Sequence, residues 1–170
     1  MPASRISLDK AKPNKLFYVV ANVMVYRDSD QRCLILKRDE RETAHPGKWA
    51  CTGGKLEWKD LDIKHPTRLN GDVLDYEDAL EKLCQRETLE EAGVEIEGPL
   101  RFIDTNVFVR PDEVPVVLIK FAARYKSGEV RPEPGGFTDF AWVNADEARN
   151  YPCIMGIPEE VATTIKLFAK

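Results

Sequence analysis

The sequence predicts a single α+β domain built on a mixed β-sheet. Apolar runs of strand length occupy both ends of the chain, and one long helical pattern separates them. With 170 residues and 43% hydrophobic content, the chain can close one core and is too short for two comfortable domains. Residues 1–15 are polar, contain Pro2 and Pro13, and read as a flexible tail before a single domain over 16–170.

The run at 16–26 holds Phe17, Tyr18, Val19, Val20, Val23 and Val25, a composition suited to a central strand. Asp28-Ser29-Asp30 turns the chain into a second strand at 32–38, with Cys33-Leu34-Ile35-Leu36 at its heart. His45-Pro46-Gly47 marks a loop that delivers Trp49-Ala50-Cys51 to a short strand. From 76 to 92 the positions Ala79, Leu80, Leu83, Cys84, Thr88 and Ala92 recur at helical spacing and define a buried side. Two further strands are expected at 99–109 and 114–125, joined by Arg110-Pro111-Asp112-Glu113, and 126–136 reads as a Pro- and Gly-rich loop. Residues 137–143 alternate Phe137, Asp139 and Ala141 against Thr138, Phe140 and Trp142, as a half-buried strand does. Asn144 can cap a short helix, and Pro158 can open a last one that runs to Phe168.

Composition narrows the functional classes. A net charge of -4, with no dense Lys/Arg block, argues against a nucleic-acid polymer as partner. The cysteines Cys33, Cys51, Cys84 and Cys153 stand singly, and His45 and His65 are the only histidines, which favours neither a zinc site nor a disulfide scaffold. A cytoplasmic chain is expected, as monomer or homodimer. No apolar stretch approaches the roughly 20 residues that cross a bilayer, and no membrane partner is expected.

The chemistry concentrates in Arg86-Glu87-Thr88-Leu89-Glu90-Glu91-Ala92-Gly93. Glu87, Glu90 and Glu91 leave one turn of helix close together, where three like charges repel. A divalent cation turns that repulsion into coordination, and Arg86 can brace a carboxylate through its rigid fork of donors. Acidic runs on helices are usually solvated faces, but Glu87 borders the buried side of this helix, where an uncompensated carboxylate is expensive. Upstream, Gly53-Gly54-Lys55-Leu56-Glu57 lets the backbone approach a ligand. Glu57 adds a carboxylate and Gly54 a carbonyl for the same ion.

These residues resemble the box of the Nudix family. Arg86, Glu87, Glu90, Glu91, Gly93 and Val94 match its second half, with Thr88 where an aliphatic residue is usual. Gly53, Gly54, Leu56 and Glu57 match the opening that precedes such a box. The two halves stand apart by about 18 residues more than the family pattern has, so an inserted loop is expected around 58–75. Asp78 and Asp72 fall where the uninterrupted box would carry its first glutamate and its glycine, and Glu57, Glu77 or Asp78 is left to supply that first carboxylate. Phe140-Ala141-Trp142-Val143 followed by Asn144-Ala145-Asp146-Glu147 is similar to the family's late strand and short helix.

The resemblance implies an α/β/α sandwich and a metal-dependent hydrolase of diphosphate linkages in nucleotide-type small molecules. Mg²⁺, or Mn²⁺, is the implied cofactor, held by Glu87, Glu90 and Glu91 with the Gly54 carbonyl and Glu57. Arg86 orients that set, and the general base is one of Glu90, Glu113 and Asp139. Nucleoside triphosphates lead as substrates, ADP-ribose or a nucleotide sugar is the alternative, and a non-catalytic nucleotide-binding regulatory module is a third reading. Lys59, Lys64, His65 and Arg68 of the insertion are candidates for phosphate contact. Phe17, Tyr18, Trp49, Trp58 and Phe108 are candidates for a base-stacking surface. Cys51, beside the paired glycines, reads as a core cysteine rather than as the nucleophile of an isoprenoid-diphosphate isomerase.

Overall fold

The apolar run near the start of the chain becomes the middle of the sheet. In the computed structural model, which describes residues 1–169, β1 (Tyr18–Arg27) is followed by β2 (Arg32–Arg38), β3 (Trp49–Ala50) and β4 (Thr52–Lys55). A hairpin of β5 (Arg68–Asn70) and β6 (Val73–Asp75) precedes helix α1 (Ala79–Ala92). Strands β7 (Val94–Val109), β8 (Pro115–Gly128) and β9 (Phe137–Val143) follow, and helices α2 (Ala145–Ala148) and α3 (Ile157–Phe168) close the chain.

Seven strands form one mixed sheet in the order β3-β2-β1-β8-β7, with β4 also on β1 and β9 also on β2. The β1–β8 pair is parallel, while β1 runs antiparallel to both β2 and β4. Because side chains alternate across a strand, β1 feeds two cores. Ala21, Val23 and Val25 join Leu34, Leu36 and Ala123 against Leu83, Cys84 and Ala92 around α1. Met24 and Tyr26 join Cys33, Ile35 and Ala122 against Ile157, Val161 and Phe168 of α3. The result is a helix layer on each face of the sheet, the α/β/α arrangement that the resemblance implies.

The helix ends follow their capping chemistry. Gly93 takes φ +71° and its N–H closes on the Leu89 carbonyl, ending α1. Asn144 accepts from the N–H groups of Asp146 and Glu147 while Glu147 accepts from the Asn144 N–H, a reciprocal capping box on α2. Pro158 occupies the first turn of α3, where its missing N–H costs nothing.

Four departures from the sequence reading have local causes. Helix α1 starts at Ala79 rather than 76, because Asp78 sits at φ 56° in the left-handed region and cannot continue a right-handed helix. Strand β7 begins at Val94 and runs through Pro99, taking up the proline with register shifts between Glu97 and Arg101. In β9 a register shift at Lys37/Arg38 places Phe137 in the α1-side core and Ala141 in the α3-side core, so the two residues of one predicted face part company. The inserted segment, expected as a loop, carries the β5–β6 hairpin, whose turn uses Gly71 at φ +61°. No helix among the described residues is long and apolar enough to cross a membrane.

One polar contact locks α1 onto β4. The hydroxyls of Thr52 and Thr88 lie 2.9 Å apart, both residues are buried, and the Thr52 hydroxyl also reaches the Val23 carbonyl at 3.2 Å. Thr88 occupies the position where an aliphatic residue is usual, and Thr52 is the partner that makes its hydroxyl acceptable there. Thr52→Val should cost about 1–3 kcal/mol, since it strands the Thr88 hydroxyl, whereas Thr52→Val with Thr88→Val should recover most of that loss. Urea melts of the single and double variants measure the difference.

Candidate active site

Consecutive residues of β4 meet α1 at close range, and glycine makes the approach possible. A Cβ on Gly54 would overlap the Glu87 carboxyl group. The Gly53 N–H donates to Glu91 Oε2 at 2.9 Å, and a Cβ on Gly53 would run into Ala21 and Asn22 of β1. Thus Glu87 and Glu91 are held against the glycine pair, one by shape and one by a backbone donor.

Arg86 organises the outer side of this cluster. Its Nη1 lies 2.9 Å from Glu87 and 3.1 Å from Glu90, and its Nη2 lies 3.2 Å from Asp60. Asp60 belongs to a single 3₁₀ turn, Trp58–Asp60, and also accepts from the Glu57 N–H at 2.8 Å. The start of the insertion is therefore tied to the acidic helix through one guanidinium.

The electrostatics differ along the cluster. Burial raises the Glu91 carboxyl to about 8, with the Gly53 N–H opposing it and neighbouring Glu87 and Glu133 adding to it. Burial also raises Glu87, against the pull of Arg86. Glu90 is exposed and, among the described residues, pairs with Arg86 alone. Two carboxylates are thus partly removed from water with less positive charge than they need.

The remaining predicted residues are less closely gathered. Glu57 is exposed and pairs with Lys59 at 2.9 Å. Glu113 is exposed in the β7–β8 turn, where its N–H bonds to the Arg110 carbonyl. Asp139 stands opposite Lys37 in the β2–β9 register, on the side of the sheet that carries α3, away from the glutamates of α1. Among the described residues, no three His, Cys, Asp or Glu side chains stand close enough together to hold an ion by themselves. Of the expected phosphate contacts, His65 pairs with Asp62 and Arg68 with Asp75 and Glu77. Cys51 is buried, and burial pushes its thiol well above the ordinary value, which suits a core residue and not a nucleophile.

Sequence reasoning missed Asp60 and Glu133. Asp60 was signalled by its spacing from Glu57, three residues as in a capping box. Glu133 comes from the loop after β8, folded onto the end of α1 by its N–H to the Glu91 carbonyl at 2.8 Å, and no local pattern announces it.

The NUDIX domain model matches residues 16–160, which contain the sheet, the glycine pair and the acidic helix. The chain belongs to the Nudix family. It is 30% identical over 80 residues to the NAD-capped RNA hydrolase NudC of Chromobacterium violaceum, a match covering 47% of this chain and only 29% of that protein. The fold is that of the MutT NUDIX hydrolase of Burkholderia pseudomallei, at TM-score 0.64 and 21% identity over 88% of this chain and 98% of the other. It is equally that of the NUDIX domain of Shewanella oneidensis NrtR complexed with ADP ribose, at TM-score 0.66 and 14% identity over 95% and 96%.

The two glycines of this Nudix domain should respond differently to alanine. Gly54→Ala meets the movable end of Glu87, so it should keep a melting temperature within a few degrees while displacing that carboxylate. Gly53→Ala meets β1 backbone and should lower stability by about 1–3 kcal/mol. Thermal melts distinguish the two.

Proposed function

We propose that this protein hydrolyses the diphosphate linkage of a nucleotide-type small molecule, a nucleoside triphosphate or a related nucleoside diphosphate derivative, with Mg²⁺ or Mn²⁺. The observation that carries this reading is the pair of partly buried glutamates, Glu87 and Glu91, pressed against Gly53 and Gly54, with the Arg86 guanidinium on Glu87. Their oxygen donors fit a hard divalent cation, and the raised carboxyls of Glu87 and Glu91 are what such a charge would bring back down. Glu87 and Glu91, with the Gly54 carbonyl and Glu90, would hold the ion. When bound, it neutralises phosphate charge and lowers the pKa of a coordinated water.

The chain's own groups do the remaining work. Arg86 holds Glu87 and Glu90 in place, and the Gly53 N–H fixes one oxygen of Glu91. Glu90, exposed beside them, is the general base we favour over Glu113 and Asp139, because it alone of the three shares the Arg86 anchor with the buried pair. The relative's name points to an NAD cap, a diphosphate between two nucleosides, so NAD belongs in the substrate panel beside nucleoside triphosphates, ADP-ribose and nucleotide sugars. The buried or half-buried free cysteines agree with a reducing, cytoplasmic setting.

A panel assayed for both products, with Mg²⁺ and again with chelator, tests the reading. Chelation should abolish turnover, and Glu91→Gln should lower the metal-dependent rate by about 10²-fold or more while the fold survives. An unchanged rate would remove Glu91 from the site. Tight nucleotide binding without turnover at any metal or pH would instead make the protein a regulatory binding module.

A further inference from the structure

A cavity of about 860 Å³ opens where the glycine strand ends. Its walls come from four places: the N-terminal segment (Leu8, Pro13), the entry to β1 (Phe17, Tyr18), the segment that follows Gly54 (Trp58, Leu61), and the entry to β8. The lining is aromatic or aliphatic except for Lys55 and Glu57. A mostly apolar concavity of a few hundred to about 1,000 Å³ with a few polar groups is the usual form of a small-molecule site.

We propose that this cavity binds a planar aromatic ring carried by the diphosphate substrate, a nucleobase or a ring of similar size. The inference rests on the hydrolytic reading above and names the part of the substrate that this chain recognises away from the reacting phosphates. Phe17, Tyr18 and Trp58 remain 45%, 49% and 54% exposed although they line an apolar cavity. Among the described residues the ring pairs, Tyr26–Phe168, Trp49–Tyr151 and Tyr125–Trp142, use none of the three. Their faces are free to stack on a ligand ring. By contrast, Trp49 is buried against Tyr151 and Phe108 lies on β7 outside this lining, so the structure sorts the five aromatic candidates into three that converge and two that do not.

Position ties the cavity to the phosphates. Lys55 and Glu57 follow Gly54 directly, and Gly54 touches Glu87, so cavity and carboxylates lie roughly 10 Å or less apart along one extended chain. Lys55, exposed at the end of β4, contributes the one cationic group of the lining, a charge that suits a phosphate oxygen. Leu8 and Pro13 fall outside residues 16–160, and Trp58 and Leu61 belong to the inserted segment, so much of this surface lies outside the two halves of the box.

Calorimetric titration of the full chain in chelator, with ADP and with inorganic pyrophosphate, tests this without turnover. ADP should bind at least about tenfold more tightly than pyrophosphate, and Trp58→Ala, or Phe17→Ala with Tyr18→Ala, should remove most of that ring-dependent gain and leave pyrophosphate binding unchanged. Trp58 is half exposed, and a melting temperature near wild type confirms that its loss leaves the fold intact. Three results overturn the proposal: wild type preferring ADP no more than pyrophosphate, both variants keeping the preference, or decyl diphosphate binding as tightly as ADP, which would make the occupant an alkyl chain. Ring-dependent binding that persists when no diphosphate is hydrolysed would refute the hydrolytic reading and leave the cavity assignment standing. Metal-dependent hydrolysis with indifferent Trp58 and Phe17/Tyr18 variants would do the reverse.

Discussion

The seam between β4 and α1 is the contact on which the rest of the site depends. Three successive strand residues meet the helix: Thr52 through Thr88, Gly53 through Glu91, and Gly54 through Glu87. The glycines are required for different reasons: a side chain at Gly54 would push Glu87 away, and one at Gly53 would strike β1 and shift the strand that supplies the donor. Close approach has two effects at once. It removes Glu87 and Glu91 from solvent, which disfavours their charged forms, and it supplies only one backbone donor in return. The geometry therefore stabilises the fold through packing while leaving the acids in need of a further positive charge.

The insertion is part of this arrangement. Had residues 58–75 been an unattached excursion, a side chain of α1 would not reach it. Instead Arg86 spans from Glu87 and Glu90 on the helix to Asp60 in the first turn of the insertion, and Asp60 is itself fixed by the Glu57 N–H. Arg86 and Asp60 are both mostly shielded, so this link is screened less than the exposed pairs of the β5–β6 hairpin. The turn that Asp60 stabilises begins at Trp58, so the same bond that steadies the helix charges also sets a wall of the aromatic cavity.

What was legible in the sequence was local. The apolar rhythm of α1, the cap at Asn144, the proline opening α3 and the continuous run of β1 each depend on neighbours within a few residues, and each stands as read. The glycine pair and the acidic turn were also legible as chemistry. What escaped was register and long-range placement. A single shift at Lys37/Arg38 reassigns Phe137 to the other core, and strand pairing rather than local pattern puts Asp139 on the α3 side. Glu133 reaches the site only because a loop of no periodicity bonds to the last turn of α1. Thr88 looked like a flaw in the motif until Thr52, 36 residues away, supplied its partner.

Charge is handled differently on the two faces of the sheet, and the contrast bears on the proposed cation. On the α3 side Glu160 is buried, and burial raises its carboxyl, yet Lys120 sits 2.7 Å away as a dedicated counter-charge. That pair closes on itself and asks for no ligand; removing one member would strand the other, whereas replacing both with apolar residues need not destabilise the fold. On the α1 side Asp60, Glu87 and Glu90 gather around Arg86, while Glu91, the fourth acid, sits against Gly53. Glu91, the most strongly perturbed of the four, accepts a neutral N–H and is raised further by two neighbouring acids, with the charge of Arg38 the weakest influence upon it. A protein can satisfy a buried acid from its own residues, as Lys120 shows. Where it instead concentrates acids against a backbone stripped of side chains, it leaves a shortfall of positive charge, and the proposed hard divalent cation is the kind of group that would meet it.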